Sequence, residues 1–359
     1  MALTVIMAGG GTGGHVIPAL SVARELARRG HTPIFIGTRT GFEAKLIPPS
    51  GFTLEYIQIG GLKRVGAGQT VRTIRQLPGS VLAVLRMFER YRPAAIFSMG
   101  GYVAGPVVVA GLLRRVPLVV LEPNAMPGFT NRRAGRFVAR ALLNFQEAAR
   151  FFPAGRSEVI GVPIREEFFQ VRPKPPDALL TILITGGSQG SRTLNEATRG
   201  AWELFRNAPF AVRLLHQTGV YAYEAISHQF AQSGLEGEVL PFFDNMPAAF
   251  ERADLIVCRA GASAVAEVAA AGKPSILVPF PGAADQHQLR NAEALERAGA
   301  ARLVLDSQMN GDRLFEEVAK LAADPDRLLA MGERARAFAH PHAAERAAEI
   351  LEQVCHARV

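Results

Sequence analysis

The run Ala8-Gly9-Gly10-Gly11-Thr12-Gly13-Gly14-His15 follows a short apolar segment and opens a helical pattern. Glycines there let backbone approach a ligand, and N–H groups at a helix start, reinforced by the macrodipole, suit phosphate oxygens. His15 ends the loop. A neutral imidazole there can take a proton from a hydroxyl nucleophile; the plainer reading is a capping or packing histidine. Gly9, Gly11 and Gly14 also fit the dinucleotide spacing Gly-x-Gly-x-x-Gly. A nicotinamide site, however, wants an acid at the end of the second strand. That strand ends Gly37-Thr38-Arg39, and the first aspartate of the chain is Asp177. An NADP enzyme using Arg39 stays open as an alternative, while the loop suits any diphosphate.

The second half repeats the theme. Arg259-Ala260-Gly261-Ala262-Ser263-Ala264-Val265-Ala266-Glu267 follows an apolar strand and opens a helix of small residues. Its N-terminus suits a nucleotide phosphate and Glu267 a ribose; the alternative is an Ala-rich packing helix with an acid near its start. Gly187-Ser188-Gln189-Gly190 and Asp285-Gln286-His287-Gln288-Leu289-Arg290-Asn291 offer the paired donors and acceptors that neutral sugar hydroxyls need, or else are solvated helix starts. Asp324-Pro325-Asp326 imitates an Asp-x-Asp metal motif but reads as a turn and helix cap. The two cysteines, Cys258 and Cys355, are too few and too far apart for a disulfide framework or zinc site.

Elements that hold such loops must be strands feeding helices. Apolar runs at Leu3–Ala8, Pro33–Gly37, Ala94–Met99 and Pro117–Leu121, then Leu179–Thr185, Ala211–Leu215, Leu255–Cys258 and Ser275–Pro279, alternate with helical patterns. This predicts an α/β protein of two tandem Rossmann-like domains with a cleft between them. A length of 359 residues, beyond what one core usually organises, agrees. The expected division is 1–162, a proline-rich linker 163–177, and 178–359, with the last helix packing back on the first domain.

Charge divides the same way. Residues 1–160 carry 20 Lys and Arg against 7 Glu, a net +13, while 161–359 carry 20 against 25 acids, a net −5. The first domain is built to meet anions. Val71, Ile74, Leu77, Val81, Leu85 and Phe88 recur at helical spacing among Lys63, Arg64, Arg72, Arg75, Arg86, Arg90 and Arg92. Most of that stripe is expected in the core, but Pro78 and Gly79 interrupt it and suggest a separate first part able to rest on anionic lipid. Nucleic acid is disfavoured, because no interleaved aromatics or recognised binding motif accompany the charge. The longest apolar stretches stop short of the roughly 20 residues that span a bilayer, and the start lacks a secretory pattern, which points to the cytoplasm.

Four motifs together, Gly10-Gly11-Thr12-Gly13-Gly14-His15, Met99-Gly100-Gly101-Tyr102-Val103-Ala104-Gly105-Pro106, Gly186-Gly187-Ser188-Gln189-Gly190-Ser191-Arg192 and the stretch from Cys258 to Pro279, carry a resemblance over essentially the whole chain. The sequence resembles the MurG family, the UDP-N-acetylglucosamine transferases that convert lipid I to lipid II in peptidoglycan synthesis. The resemblance implies a GT-B fold, inverting transfer, no cofactor or obligatory metal, and a peripheral place on the cytoplasmic face of the membrane. UDP-N-acetylglucosamine, lipid I and an anionic membrane surface are the implied partners. Carried onto matching positions, Thr12, Gly13 and Gly14 would lie near donor sugar and acceptor diphosphate, with His15 at the acceptor as the base. Asn124, Arg165 and Ser188 would bind the UDP-sugar, Phe243 the uracil edge through its backbone, Ala262, Ser263, Ala264 and Val265 the phosphates through N–H groups, Glu267 the ribose and Gln288 the sugar hydroxyls. Arg165, with Arg259 as a further candidate, would stabilise the leaving diphosphate. Two departures stand out: the usual His-Glu-Gln-Asn is Leu121-Glu122-Pro123-Asn124, and Arg259 is followed by Ala260 where serine is common. Glu122 is the next candidate for the base.

Overall fold

The computed structural model describes residues 2–10, 13–60, 67–174 and 179–356. Gly11, Thr12, Lys63, Arg64 and residues 175–177 lie outside them, as do the side chains of Val71 and Arg72. The chain divides into two compact units, Met1–Ile164 with His342–Val359, and Arg165–Pro341.

Unit 1 contains β1 (Thr4–Gly9), α1 (Gly13–Arg28), β2 (Thr32–Gly37), α2 (Phe42–Leu46), β3 (Thr53–Tyr56), α3 (Ala67–Tyr91), β4 (Ala95–Gly100), α4 (Ala104–Leu113), β5 (Leu118–Glu122), α5 (Phe129–Ala134), β6 (Arg140–Leu143) and β7 (Ser157–Val159). The strands form one parallel sheet in the order β3-β2-β1-β4-β5-β6-β7. Val5, Met7, Phe97 and Val119 face a core closed by α1; Ile6, Ile96 and Val120 face one closed by α3 and α4. Covering both faces is why β4 and β5 are buried along their whole length and read as largely apolar runs.

Unit 2 contains β8 (Leu179–Thr185), α6 (Arg192–Arg206), β9 (Ala211–Gln217), α7 (Val220–Ala231), β10 (Glu236–Leu240), α8 (Met246–Arg252), β11 (Leu255–Cys258), α9 (Ala262–Ala271), β12 (Ser275–Leu277), α10 (His287–Arg297), β13 (Arg302–Leu303), α11 (Gly311–Ala322) and α12 (Pro325–Arg336). Its parallel sheet runs β10-β9-β8-β11-β12-β13. In each sheet the order reverses once, between β1 and β4 and between β8 and β11, and ligands of open α/β sheets bind at the strand carboxyl ends beside such a reversal. Residues 165–174, read from the sequence as connecting chain, pack on unit 2: Phe168 is fully buried, with its ring edge-on to Phe250 at 5.1 Å.

The last helix, α13 (Ala343–His356), belongs to unit 1 and lies along α1. Ala347, Ala348, Ile350, Leu351 and Cys355 enter the core beneath α1. Arg346 forks onto both Glu158 oxygens at 2.7 and 3.0 Å, and Glu352 meets His31 at 2.8 Å and Arg29 at 3.1 Å. One sequence expectation needs correcting. Pro78 and Gly79 do not divide α3, which is continuous from Ala67 to Tyr91 with Pro78 inside. Ser80 steadies the region after the proline, donating to Gln76 O and to Gln58 O. The buried apolar side chains here are Val84 and Phe88, with Val81 and Leu85 packed beside them, whereas Ile74 is 58% exposed and leaves the stripe.

Candidate active site

At the reversal of the first sheet, the loop after β1 meets the loop after β4. His15, half-buried on the first turn of α1, places Nδ1 3.3 Å from Gly10 O. A carbonyl only accepts, so Nδ1 carries the hydrogen and the ring's lone pair belongs to Nε2. Gly101 lies against this pair: at φ +79° it favours glycine, and a Cβ there would come within 2.9 Å of Gly10 O and 3.5 Å of His15 Nδ1. Gly13 begins α1 and Gly14 is exposed on its first turn, while Thr12 lies outside the described residues. Behind the loop, the fully buried Glu43 accepts from Thr38 N at 2.9 Å and Thr38 Oγ1 at 2.8 Å, and that hydroxyl lies 3.2 Å from Tyr102 Oη.

The third loop of this unit is organised by Glu122, which is 1% exposed. Oε1 accepts from Asn124 N and Nδ2, both at 3.1 Å; Oε2 accepts from Gly128 N and Asn131 Nδ2, both at 3.0 Å. Burial pushes this carboxyl up to about 7 against the pull of those donors. With each of its roughly four lone-pair positions engaged, it can gain a proton only by releasing a donor. Such a group shapes residues 123–131 rather than shuttling protons. Asn124 is thus placed by Glu122, and Thr130 Oγ1 ties the same segment to Gly101 O at 2.9 Å.

In unit 2, Gly261 is the N-cap of α9, and Val265 N closes the helix's first bond on Gly261 O at 2.9 Å. Val265 therefore has no N–H to offer a phosphate, and its side chain is buried, which corrects the sequence expectation. The N–H groups of Ala262, Ser263 and Ala264 remain at the helix end, with no backbone bond among the described residues. Glu267 lies one turn further on. Burial raises its carboxyl to about 7 although Arg165 opposes the shift, so the two side chains are electrostatic neighbours. Arg165 is exposed and lies over the Phe168 ring at 5.0 Å.

Gln288, on the first turn of α10, accepts from Phe280 N at 2.9 Å and would put Nε2 3.9 Å from a Cβ on Gly261. The sugar-binding candidate thus reaches the α9 loop. Just before it, Asp285 and Gln286 both take left-handed backbone, φ 48° and 54°. Ser188 is exposed in the loop after β8, and Phe243 is buried after β10. Arg259, in contrast, is committed elsewhere: it donates to Ser191 Oγ at 2.7 Å, to Val278 O at 3.1 Å and to Asp306 Oδ1, with its guanidinium over Phe280. It braces three loops instead of reaching for a diphosphate. Asp324 caps α12 through Arg327 N at 3.0 Å, as expected of a turn residue.

Sequence reasoning missed Asn131, Glu43 and Gln217. All three are buried polar side chains within or directly beside the loops at the strand carboxyl ends, where a polar residue next to an apolar run is the available signal.

The profile of the glycosyltransferase family 28 N-terminal domain matches residues 5–143 and that of the family 28 C-terminal domain residues 181–353. The UDP-N-acetylglucosamine–N-acetylmuramyl-(pentapeptide) pyrophosphoryl-undecaprenol N-acetylglucosamine transferase of Solibacter usitatus (strain Ellin6076) is 60% identical over 98% of this chain and 96% of its own length. The enzyme of the same name from Halorhodospira halophila (strain DSM 244 / SL1) is 42% identical over 98% and 99%. The crystal structure of Acinetobacter baumannii MurG superposes with a TM-score of 0.85 at 31% identity, covering 98% of this chain and 99% of that one. Likeness of this extent sets aside the NADP reading of the first glycine loop and confirms the GT-B fold. The chain belongs to the MurG family of family 28 glycosyltransferases.

Proposed function

We propose that the chain transfers N-acetylglucosamine from UDP-N-acetylglucosamine to the muramyl sugar of lipid I, with inversion, to form lipid II. The observation that carries this reading is the start of α9: three outward N–H groups, Glu267 one turn in, and Arg165 beside it. That set matches a nucleoside diphosphate, with dipole and N–H groups for the phosphates and a carboxylate for ribose hydroxyls. Ser188 and Gln288 complete the donor site on unit 2. On unit 1, Gly13 and Gly14 receive the acceptor, Asn124 is a contact of the UDP-sugar, and His15 Nε2 takes the proton of the attacking hydroxyl while Nδ1–H holds Gly10 O. UDP leaves as an anion stabilised by the α9 terminus and Arg165. His15, not Glu122, is the base, because the Glu122 oxygens are occupied by loop donors. Incubation of the full chain with lipid I and labelled UDP-N-acetylglucosamine should yield labelled lipid II and UDP. Release of free labelled sugar, or no turnover, would refute the assignment.

Membrane attachment through unit 1 is part of the proposal. No helix among the described residues is long and apolar enough to cross a membrane. Ile74 and Leu82 on α3, Leu112 and Leu113 at the end of α4, and Phe137 are instead exposed large hydrophobics. Arg75, Arg86, Arg115, Arg136 and Arg140 are exposed among them, and a groove of about 520 Å³ lined by Leu112, Arg115, Phe137, Arg140 and Arg156 opens beside α4. Apolar side chains ringed by arginines suit the headgroup region of an anionic bilayer on its cytoplasmic face.

A further inference from the structure

Glu43 is wholly buried, and the chemistry proposed for unit 1 does not use it. Its side chain is wedged among three glycines: a Cβ on Gly10, Gly37 or Gly41 would come within 2.8, 2.4 or 2.2 Å of it. Backbone without side chains thus makes room for one carboxylate beneath the loop that carries His15. Oε1 accepts both the N–H of Thr38, at 2.9 Å, and its hydroxyl hydrogen, at 2.8 Å. A hydroxyl has a single hydrogen, so Thr38 Oγ1 keeps only lone pairs for Tyr102 Oη, 3.2 Å away. Tyr102 is therefore the donor of that pair. The hydrogen bonds run one way, from Tyr102 through Thr38 to Glu43.

The direction has a chemical result at Tyr102. This side chain is half-buried, and its hydroxyl makes no other hydrogen bond among the described residues. With its hydrogen turned inward, the oxygen offers a ligand lone pairs alone. Tyr102 also stands at the proposed chemistry, because a Cβ on the preceding Gly101 would lie 2.9 Å from Gly10 O and 3.5 Å from His15 Nδ1. A diphosphate brings oxygens without hydrogens and is opposed at such a group, whereas a sugar hydroxyl or amide N–H is matched. We propose that Thr38, its hydrogen held by Glu43, is a positioning residue that fixes Tyr102 as an acceptor-only contact for the sugar of lipid I and turns the diphosphate away from it. The inference rests on the reading that unit 1 receives lipid I.

Kinetics of the full chain test it, with undecaprenyl pyrophosphate as a competitor that has the lipid and diphosphate but no sugar. Tyr102→Phe should raise KM for lipid I by about tenfold, the scale of one lost hydrogen bond, and leave the inhibition constant of the pyrophosphate unchanged. Thr38→Val keeps the shape but frees the Tyr102 hydrogen, and should raise the same KM by about threefold or more. Thr38→Ser should recover what Thr38→Val loses. Because Thr38 acts through Tyr102, adding Thr38→Val to Tyr102→Phe should cost nothing further. Effects that multiply would make Thr38 merely structural and overturn the inference. Weakening of the pyrophosphate along with lipid I would place Tyr102 on the diphosphate and overturn it too. The double-variant cycle decides alone if the pyrophosphate does not compete, and Tyr102→Phe decides through the competitor if Thr38→Val melts below the assay temperature. A wild type that glycosylates lipid I, with KM unmoved by either variant, overturns the inference while leaving the acceptor reading intact. A wild type that does not use lipid I overturns both.

Discussion

His15 and Glu267 sit at comparable places, each near the first turns of a helix that follows a glycine turn, but the tasks proposed for them are opposite. His15 has its Nδ1 hydrogen directed at Gly10 O, which fixes the tautomer a base requires. His15→Ala should lower turnover by roughly 10²–10⁴-fold with UDP affinity unchanged. A loss of turnover below about threefold would show that the proton goes elsewhere. Glu267 starts from a carboxyl raised by burial to about 7. Ribose hydroxyls donate to its ionised form, so UDP affinity should rise by about tenfold between about pH 6 and about pH 8 and then level off. Calorimetry across that range with Glu267→Gln should give a flat profile. The same raised value works against folding: between about 4.5 and about 7 the folded chain keeps a proton that the unfolded chain has released, so this contribution to stability declines as pH rises.

Among the elements, α13 contributes to the core of unit 1 without touching the proposed chemistry. Leu351 is fully buried beneath α1, and truncating such a side chain costs about 2–5 kcal/mol through lost burial and the cavity left behind. Leu351→Ala should therefore lower the unfolding midpoint of unit 1 in urea while UDP binding to unit 2 is kept; equal midpoints would mean that α13 is dispensable. The sequence makes eight of the internal strands legible, because burial on both faces writes a mostly apolar run. β3, β6, β7, β10 and β13 escape that reading. β3 and β10 are edge strands of mixed polarity, β6 and β7 are short, and β13 is only two residues long. In the site, helix starts and glycine turns are legible because they are local. The amides and carboxylates beneath them, Gln217 and Glu122 above all, are not, since their partners lie on other loops. Arg259 shows the reverse error: a charge beside a glycine turn suggests a ligand, yet Asp306, distant in sequence, claims it.

For the molecule as a whole, the two charge characters separate with the chain, and the net +13 of residues 1–160 accompanies the exposed apolar side chains of α3 and α4. Each basic residue near an anionic surface adds about 1 kcal/mol, weakened by salt. Replacing Arg75, Arg86 and Arg140 by Glu should release the protein from anionic vesicles in co-sedimentation and leave UDP binding intact. Equal binding of wild type and triple variant, or of neutral and anionic vesicles by the wild type, would rule this surface out. The return of α13 to the first unit also orders events during synthesis. Unit 2 occupies one uninterrupted stretch and has all its residues once Pro341 has left the ribosome, whereas unit 1, although translated first, lacks part of its core until residues 347–355 emerge. Until then the apolar underside of α1, with Val16, Ala19 and Ala23, has no cover from that helix. The nascent chain is therefore most exposed to aggregation, and most in need of a chaperone, at the half it made earliest.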